Sequence, residues 1–295
     1  TTAKNRQHCP WLITDMSIGF VTDSTAYLPE SLRTQLAIEV VDVQVIVDGK
    51  TFDETTGIST GEVATALLAR KAVTTSRPSS AQFIAAYERV LAQGHDQIIS
   101  LHLSADLSGT YESALLAVAK SGLPVRVIDS RTIAMAMGFP LISGVNLAHS
   151  GASMDDVEDH IRSRCDQSSI VFYVDTLEFL KRGGRINPVQ SRIGTALSLK
   201  PLLTIRDGSI VQQELVRNTP KALTRLLDIA LANSNIPTDL AVLHVQAPRP
   251  AQELANQINI RTGYQDIPVI AAGAVVGAHL GPGALAIVCS PIGTG

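Results

Sequence analysis

The pattern that recurs along this chain is a short apolar run, then a loop crowded with hydroxyls, then a stretch with helical spacing. Gln97–Ala114 (QIISLHLSADLSGTYESA) shows it best. Ile98–Leu103 is apolar and bounded by polar residues, which predicts a strand buried in a sheet. From Tyr111 the apolar positions follow helical spacing, and between the two lies Ser104–Thr110. In open α/β sheets ligands bind where strands end and helices begin, because the first helical N–H groups are unpaired there and the dipole end is positive. Ser108, Gly109 and Thr110 occupy such a place, and a carboxylate or a phosphate is the natural guest. A second reading also fits these residues: Ser, Thr and Asp before a helix serve as its own N-caps.

The same alternation predicts the rest of the first half. Ile18–Val21 reads as a strand running into Thr22–Thr25. Ile38–Val47 is rich in β-branched residues and reads as one strand ending at the Asp48-Gly49 turn. Thr51–Ile58 is polar and irregular, and Ser59 with Glu62 forms a capping box that opens a helix through Lys71. Val73–Ser80 reads as a loop in which Thr75 and Ser76 are free to face a ligand, while Ser79 and Gln82 cap the next helix. Pro124–Ile128 is a strand ending at Asp129-Ser130, and Ile133–Ser150 is helical with an interruption expected at Pro140. The loops after these strands should gather at one edge of a mostly parallel sheet.

A polar helix over Met154–Asp166 follows a composition change near Gly151. Strands are expected at Ile170–Val174, on either side of an Arg206-Asp207-Gly208 turn within Leu199–Arg217, and at Leu240–Val245, with helices over Thr219–Ala232 and Pro250–Arg261. Gly183-Gly184 with Lys181, Arg182 and Arg185 around it suits a helix C-cap or a close backbone approach. Ile267–Cys289 is long enough to span a membrane, yet His279, Pro282 and four glycines interrupt it, so two buried strands around a glycine loop are expected. The fold class is α/β, in two domains: residues 18–150 with a mostly parallel sheet covered on both faces, and 151–295 with a mixed α+β arrangement, the ligand between them. Residues 1–17 read as a loosely ordered leader.

Composition narrows the partners. At 295 residues two domains are the default. A net charge of −3 without a Lys/Arg-rich run argues against nucleic acid. Three scattered cysteines suggest neither disulfides nor a zinc site and read as reduced thiols of a cytoplasmic protein. The leader lacks the apolar core of a signal peptide. Walker A, GxGxxG and HExxH motifs are absent. Gly57–Gly61 matches GxSxG, but polar residues precede it where a nucleophile elbow needs a buried strand.

An ordered set of stretches carries a family resemblance: Val21-Thr-Asp-Ser24, Thr75-Ser76-x-Pro78-Ser79, Leu107-Ser-Gly-Thr-Tyr111, Val127-Ile-Asp-Ser130, Leu177–Ile186 (LEFLKRGGRI), Lys200-Pro201 and Gly281-Pro-Gly283. Together they resemble the DegV family from Ser17 onward. That resemblance implies a protein that binds a long-chain fatty acid, with no other cofactor and no metal. Its carboxylate would be held by Thr75 and Ser108, beside Ser76, Gly109 and Thr110. The protein itself would be non-catalytic, the lipid-carrying subunit that presents the acid to a separate ATP-dependent kinase for conversion to an acyl phosphate. Arg185, Arg217 and His279 match family positions near the carboxylate opening and would serve the head group or kinase docking. Arg77 departs from the family, which often has glutamine there. The alternative from a different class is a hydrolase or acyl-transfer enzyme using Ser108 or Ser59 with His102 or His279.

Overall fold

The computed structural model describes residues 17–186, 199–232 and 236–293. The expected leader, apart from Ser17, lies outside these, as does Cys9. The chain opens with β1 (Ile18–Asp23), a 3-10 turn (Ser24–Ala26), α1 (Glu30–Gln35), β2 (Ile38–Val41), β3 (Gln44–Val47) and β4 (Lys50–Asp53). Next come α2 (Thr60–Leu68), β5 (Val73–Ser76), α3 (Ser80–Ala92), β6 (Gln97–His102), α4 (Thr110–Ser121), β7 (Val125–Asp129) and α5 (Met135–His149). The second half holds α6 (Met154–Gln167), β8 (Ser169–Tyr173), α7 (Glu178–Arg182), β9 (Lys200–Arg206), β10 (Ser209–Val216), α8 (Thr219–Ala230) and β11 (Thr238–His244). It ends with α9 (Pro248–Thr262), β12 (Val269–Ala271), α10 (Ala274–Leu280) and β13 (Leu285–Pro291).

Three sheets result. The first is fully parallel in the order β2-β1-β6-β7, and the second is mixed, β10-β9-β8-β13-β11-β12. The alternation along β1 and β6 decides which face each side chain serves. Val21 and Ile98 join Phe83, Ala86 and Tyr87 under α3 and α4. Phe20, Ile99 and Leu101 face the other way, into a core that continues through Met137 and Leu141 of α5 to Phe172 and Val288 of the second sheet. The two large sheets therefore share one apolar interior. α5 runs through that interior and tolerates Pro140, whose missing N–H costs one helical hydrogen bond without ending the helix.

The third sheet, β4-β3-β5, is small and antiparallel. It corrects three expectations. Ile38–Val47 is two strands in different sheets, parted at Asp42, whose carboxyl accepts from the backbone and hydroxyl of Thr55. Lys50–Asp53 pairs with β3, and Val73–Ser76 is its other neighbour, so Thr75 sits on a strand and not in a loop. β-branched Val, Ile and Thr suit that pleated surface. The glycine-rich region before β13 is a helix, α10, between two strands, because Ala274, Val275 and Ala278 pack against Val45, Val63 and Leu67. Both capping boxes form: Ser59 with Glu62 on α2, and Ser79 with Gln82 on α3.

The loops that follow the parallel strands do gather at one edge. Asp23 accepts from the Leu103 amide at 3.0 Å, and Asp129 accepts from the Ala105 amide at 3.2 Å. The Ser104–Thr110 loop also reaches the second sheet: the Ser104 hydroxyl donates to the Gly208 carbonyl at 2.7 Å and Ser209 donates to Asp106 at 2.7 Å.

Candidate functional site

Between the sheets lies a cavity of about 870 Å³, its open mouth included. Its wall is built largely from apolar side chains of both halves, such as Leu103, Ile133, Phe172, Ile205 and Leu243. Thr75, Ser108, Arg185 and His279 stand on the same wall. Such a space suits an apolar chain with a single polar end.

Four different elements deliver those four residues. Thr75 comes from β5, paired to β3 at Val45. Ser108 precedes α4, and its hydroxyl lies 2.8 Å from that of Thr110, which is itself buried. Gly109 is the N-cap of α4, and no side chain caps the helix. The first-turn N–H groups are therefore not satisfied by a local carboxylate or hydroxyl, which favours an anionic guest over the capping reading of this loop. Gly109 also makes room for its neighbour: a Cβ there would stand 2.6 Å from an Nη of Arg77, whose exposed guanidinium lies over the Gly109 carbonyl. The unexpected cation thus packs across the start of α4.

His279 comes from the last turn of α10. Its Nε2 lies 2.9 Å from the Thr75 hydroxyl, and its Nδ1 is buried without a hydrogen-bond partner among the described residues. Burial, with the Arg185 charge second, holds the imidazole down at about 4, so it is neutral near pH 7. The tautomer that donates from Nε2 to Thr75 leaves the threonine O–H to donate into the cavity. Nδ1 faces Gly183, where a Cβ would approach it to 2.3 Å. The glycine pair therefore serves both earlier readings, since Gly183 is also the C-cap of α7. Arg185 follows, its Nε donating to the Leu107 carbonyl at 3.1 Å and an Nη to the Gly183 carbonyl at 2.6 Å. These bonds tie the Arg185 side chain to the Ser108 loop.

The remaining expected residues fall elsewhere. Ser76 neighbours the site but points its hydroxyl toward the Arg77 carbonyl, 3.4 Å away. Arg217 is exposed just past β10 and is not among the cavity-lining residues. Ser59 is occupied in its capping box.

A serine, a histidine and an aspartate do meet in the fold: His102 is one of the histidines named from the sequence, but its serine is Ser100, not Ser108 or Ser59. Tyr87 lies 3.0 Å from Ser100, Ser100 lies 2.7 Å from Nε2 of His102, and Nδ1 of His102 lies 3.1 Å from Asp23. The spacing resembles a catalytic triad. All three side chains of that set are fully enclosed under α3, with the Phe83 ring edge-on to His102 at 4.9 Å. A substrate carbonyl has no route to Ser100, so this network serves the core. Ser108 pairs with Thr110 and His279 with Thr75, so the residues of the hydrolase alternative do not form a nucleophile–base pair.

Glu54 escaped the sequence reading because nothing in its polar surroundings signals burial. Its Oε2 accepts from the Ser24 hydroxyl at 2.5 Å, and its Oε1 accepts from Tyr27 at 3.1 Å and from the Val275 amide at 2.8 Å. Burial raises its carboxyl to about 7. Through the Val275 amide it holds the start of the helix that carries His279.

No helix of the described residues is long and apolar enough to cross a membrane. No cluster of metal-ligating side chains occurs among them. Cys165 and Cys289 are buried and form no disulfide.

A model described as "Uncharacterised protein, DegV family" matches residues 17–291. The DegV domain-containing protein SCO2569 of Streptomyces coelicolor is 43% identical over 275 residues, covering 92% of this chain and 98% of that protein. Among solved structures, the fatty-acid-binding DegV family protein of Thermus thermophilus superposes with a TM-score of 0.88 at 31% identity, covering 94% of this chain and all of the other. DegV of Bacillus subtilis, described as a fatty acid binding protein, superposes at 0.85 with 30% identity over the same shares. With a family match across nearly its whole length and an α/β fold common to these structures, the chain belongs to the DegV family.

Proposed function

We propose that this protein binds a long-chain fatty acid in the cavity between its sheets, with the carboxylate held by the hydroxyls of Thr75 and Ser108. The observation that carries this reading is the apolar cavity whose wall brings Thr75, Ser108, Arg185 and His279 together from distant parts of the chain. A carboxylate leaves water at acceptable cost only where several donors meet it. Two hydroxyls, the uncapped start of α4 and the Arg185 guanidinium supply them. Each methylene buried in the cavity contributes about 0.8 kcal/mol, so about ten of them supply roughly 8 kcal/mol against the cost of association. The described binding of fatty acids by the Thermus and Bacillus relatives supports the same ligand.

Within this reading the protein is a carrier, and a separate ATP-dependent kinase phosphorylates the presented carboxylate. A carboxylate oxygen would attack the γ-phosphorus and ADP would leave, giving an acyl phosphate. Thr75 and Ser108 are only half-buried, so the head-group end is within reach from outside. Arg217, exposed beyond β10, would meet such a partner or its phosphate, for which the guanidinium fork is suited. Titration with oleate and palmitate tests the binding step: wild type saturates at one equivalent, and a Thr75→Ala/Ser108→Ala double variant binds far more weakly. Acyl phosphate formation that requires both this protein and a kinase preparation tests the second step. Binding unaffected by the double variant contradicts the assignment of the site.

A further inference from the structure

Tyr27 stands between two spaces. It lines the cavity and also a solvent-facing cleft of about 1060 Å³, its open side included, bounded by Ser24, Pro29, Arg33, Thr55 and Ile270. Among the described residues, Tyr27 alone lines both.

The side chain is fixed for that position. Its backbone has φ 52, in the left-handed region that a non-glycine residue adopts only when its surroundings impose it. The phenol donates to Oε1 of Glu54 at 3.1 Å and accepts from the Val276 amide at 3.3 Å. Glu54 is held in turn by Ser24 and by the Val275 amide, and the Ser24 hydroxyl accepts from the Val43 amide at 3.0 Å. Gly273 leaves the space that the carboxyl fills, since a Cβ there would stand 2.3 Å from Oε1. The ring is thereby tied to the 3-10 turn, to the small sheet and to α10, the last two of which contribute residues to the cavity wall.

We infer that Tyr27 is the partition that seals the acyl cavity from this cleft, keeping the hydrocarbon chain out of water. The inference rests on the fatty-acid reading of the cavity and deepens it: a wall of this kind matters only if an apolar chain lies behind it. An aromatic ring suits the task because it covers a large area with few rotatable bonds, and its hydroxyl lets it be pinned.

Quenching of a bound fluorescent acid by aqueous iodide tests the partition. The probe is cis-parinaric acid, whose polyene lies in the tail half of the chain. In wild type the bound polyene is shielded from iodide. In Tyr27→Ala the shielding is lost, and the probe dissociates about tenfold faster as chain segments meet water. Tyr27→Leu, which keeps an apolar side chain and guards against a misfolded alanine variant, shows the same loss in part. Variants that bind the probe and shield it as well as wild type overturn the partition. If wild type takes up neither cis-parinaric acid nor oleate, the fatty-acid reading itself fails, and the two failures are told apart by the wild-type titration.

Discussion

The Nε2 atom of His279 lies 2.9 Å from the hydroxyl of Thr75, although 204 residues separate them in the chain. This contact joins the last helix of the fold to an edge strand of the small sheet. With the tautomer that carries the proton on Nε2, it leaves the Thr75 O–H free to donate at the polar end of the cavity.

Replacing Thr75 by alanine should weaken fatty-acid affinity by about tenfold or more, since a hydrogen bond to a charged group is worth roughly 1.5–3 kcal/mol. Ser108→Ala should act similarly. Calorimetric titration with oleate gives both values. Equal affinity in all three proteins would place the carboxylate elsewhere.

Gly183→Ala should act at a distance from the ligand. Its methyl would stand 2.3 Å from His279 Nδ1, so the imidazole must move away from Thr75. The expected result is a loss of affinity close to that of His279→Ala, with no further loss when the two are combined. A fully additive double variant would separate Gly183 from the histidine.

Glu54 and His279 should pull stability in opposite directions with pH. Glu54 titrates at about 7 against an ordinary 4.5, so the folded state binds more protons in that window and stability falls as pH rises through it. His279 titrates at about 4 against 6.5, so the folded state binds fewer protons and stability falls as pH drops through its window. Each effect is on the order of 3 kcal/mol at full extent, and the two nearly offset between pH 4.5 and 6.5. Glu54→Gln should expose the histidine slope, with stability rising with pH, and His279→Gln should expose the opposite one. Urea unfolding at a series of pH values measures both. Parallel profiles for the two variants would contradict the assignment.

The buried Tyr87–Ser100–His102–Asp23 network should matter for folding and not for the ligand. Ser100→Ala strands a buried ring nitrogen and should cost about 1–3 kcal/mol of stability. Oleate affinity should stay unchanged. Ester hydrolysis that depends on Ser100 would overturn the structural role argued from its enclosure.

Much of the fold was legible because its signals are local. The capping boxes at Ser59 and Ser79, the strand at Ile98, the turn at Asp207-Gly208 and the helix start at Thr110 each depend on residues within a few positions of one another. The small sheet was not legible, because Val73–Ser76 becomes a strand only by pairing with Gln44–Val47, and the polar run at Thr74–Ser76 reads locally as a loop. The helix Ala274–Leu280 was hidden by the glycines around it; packing against α2 and β3 outweighs their weak propensity. At the site, the family resemblance pointed to Thr75, Ser108, Arg185 and His279, which line one cavity, and also to Ser76 and Arg217, which do not. Glu54 and Tyr27 carried no signal, since the amide that makes a buried Glu54 acceptable belongs to Val275, 221 residues away.

Native mass spectrometry of the purified protein, followed by extraction and identification of whatever is released, tests fatty-acid binding most directly. One equivalent of a long-chain fatty acid, lost or diminished in Thr75→Ala/Ser108→Ala, is the expected result, and it names the preferred acyl chain. A protein that emerges empty and also fails to take up added palmitate or oleate would contradict it.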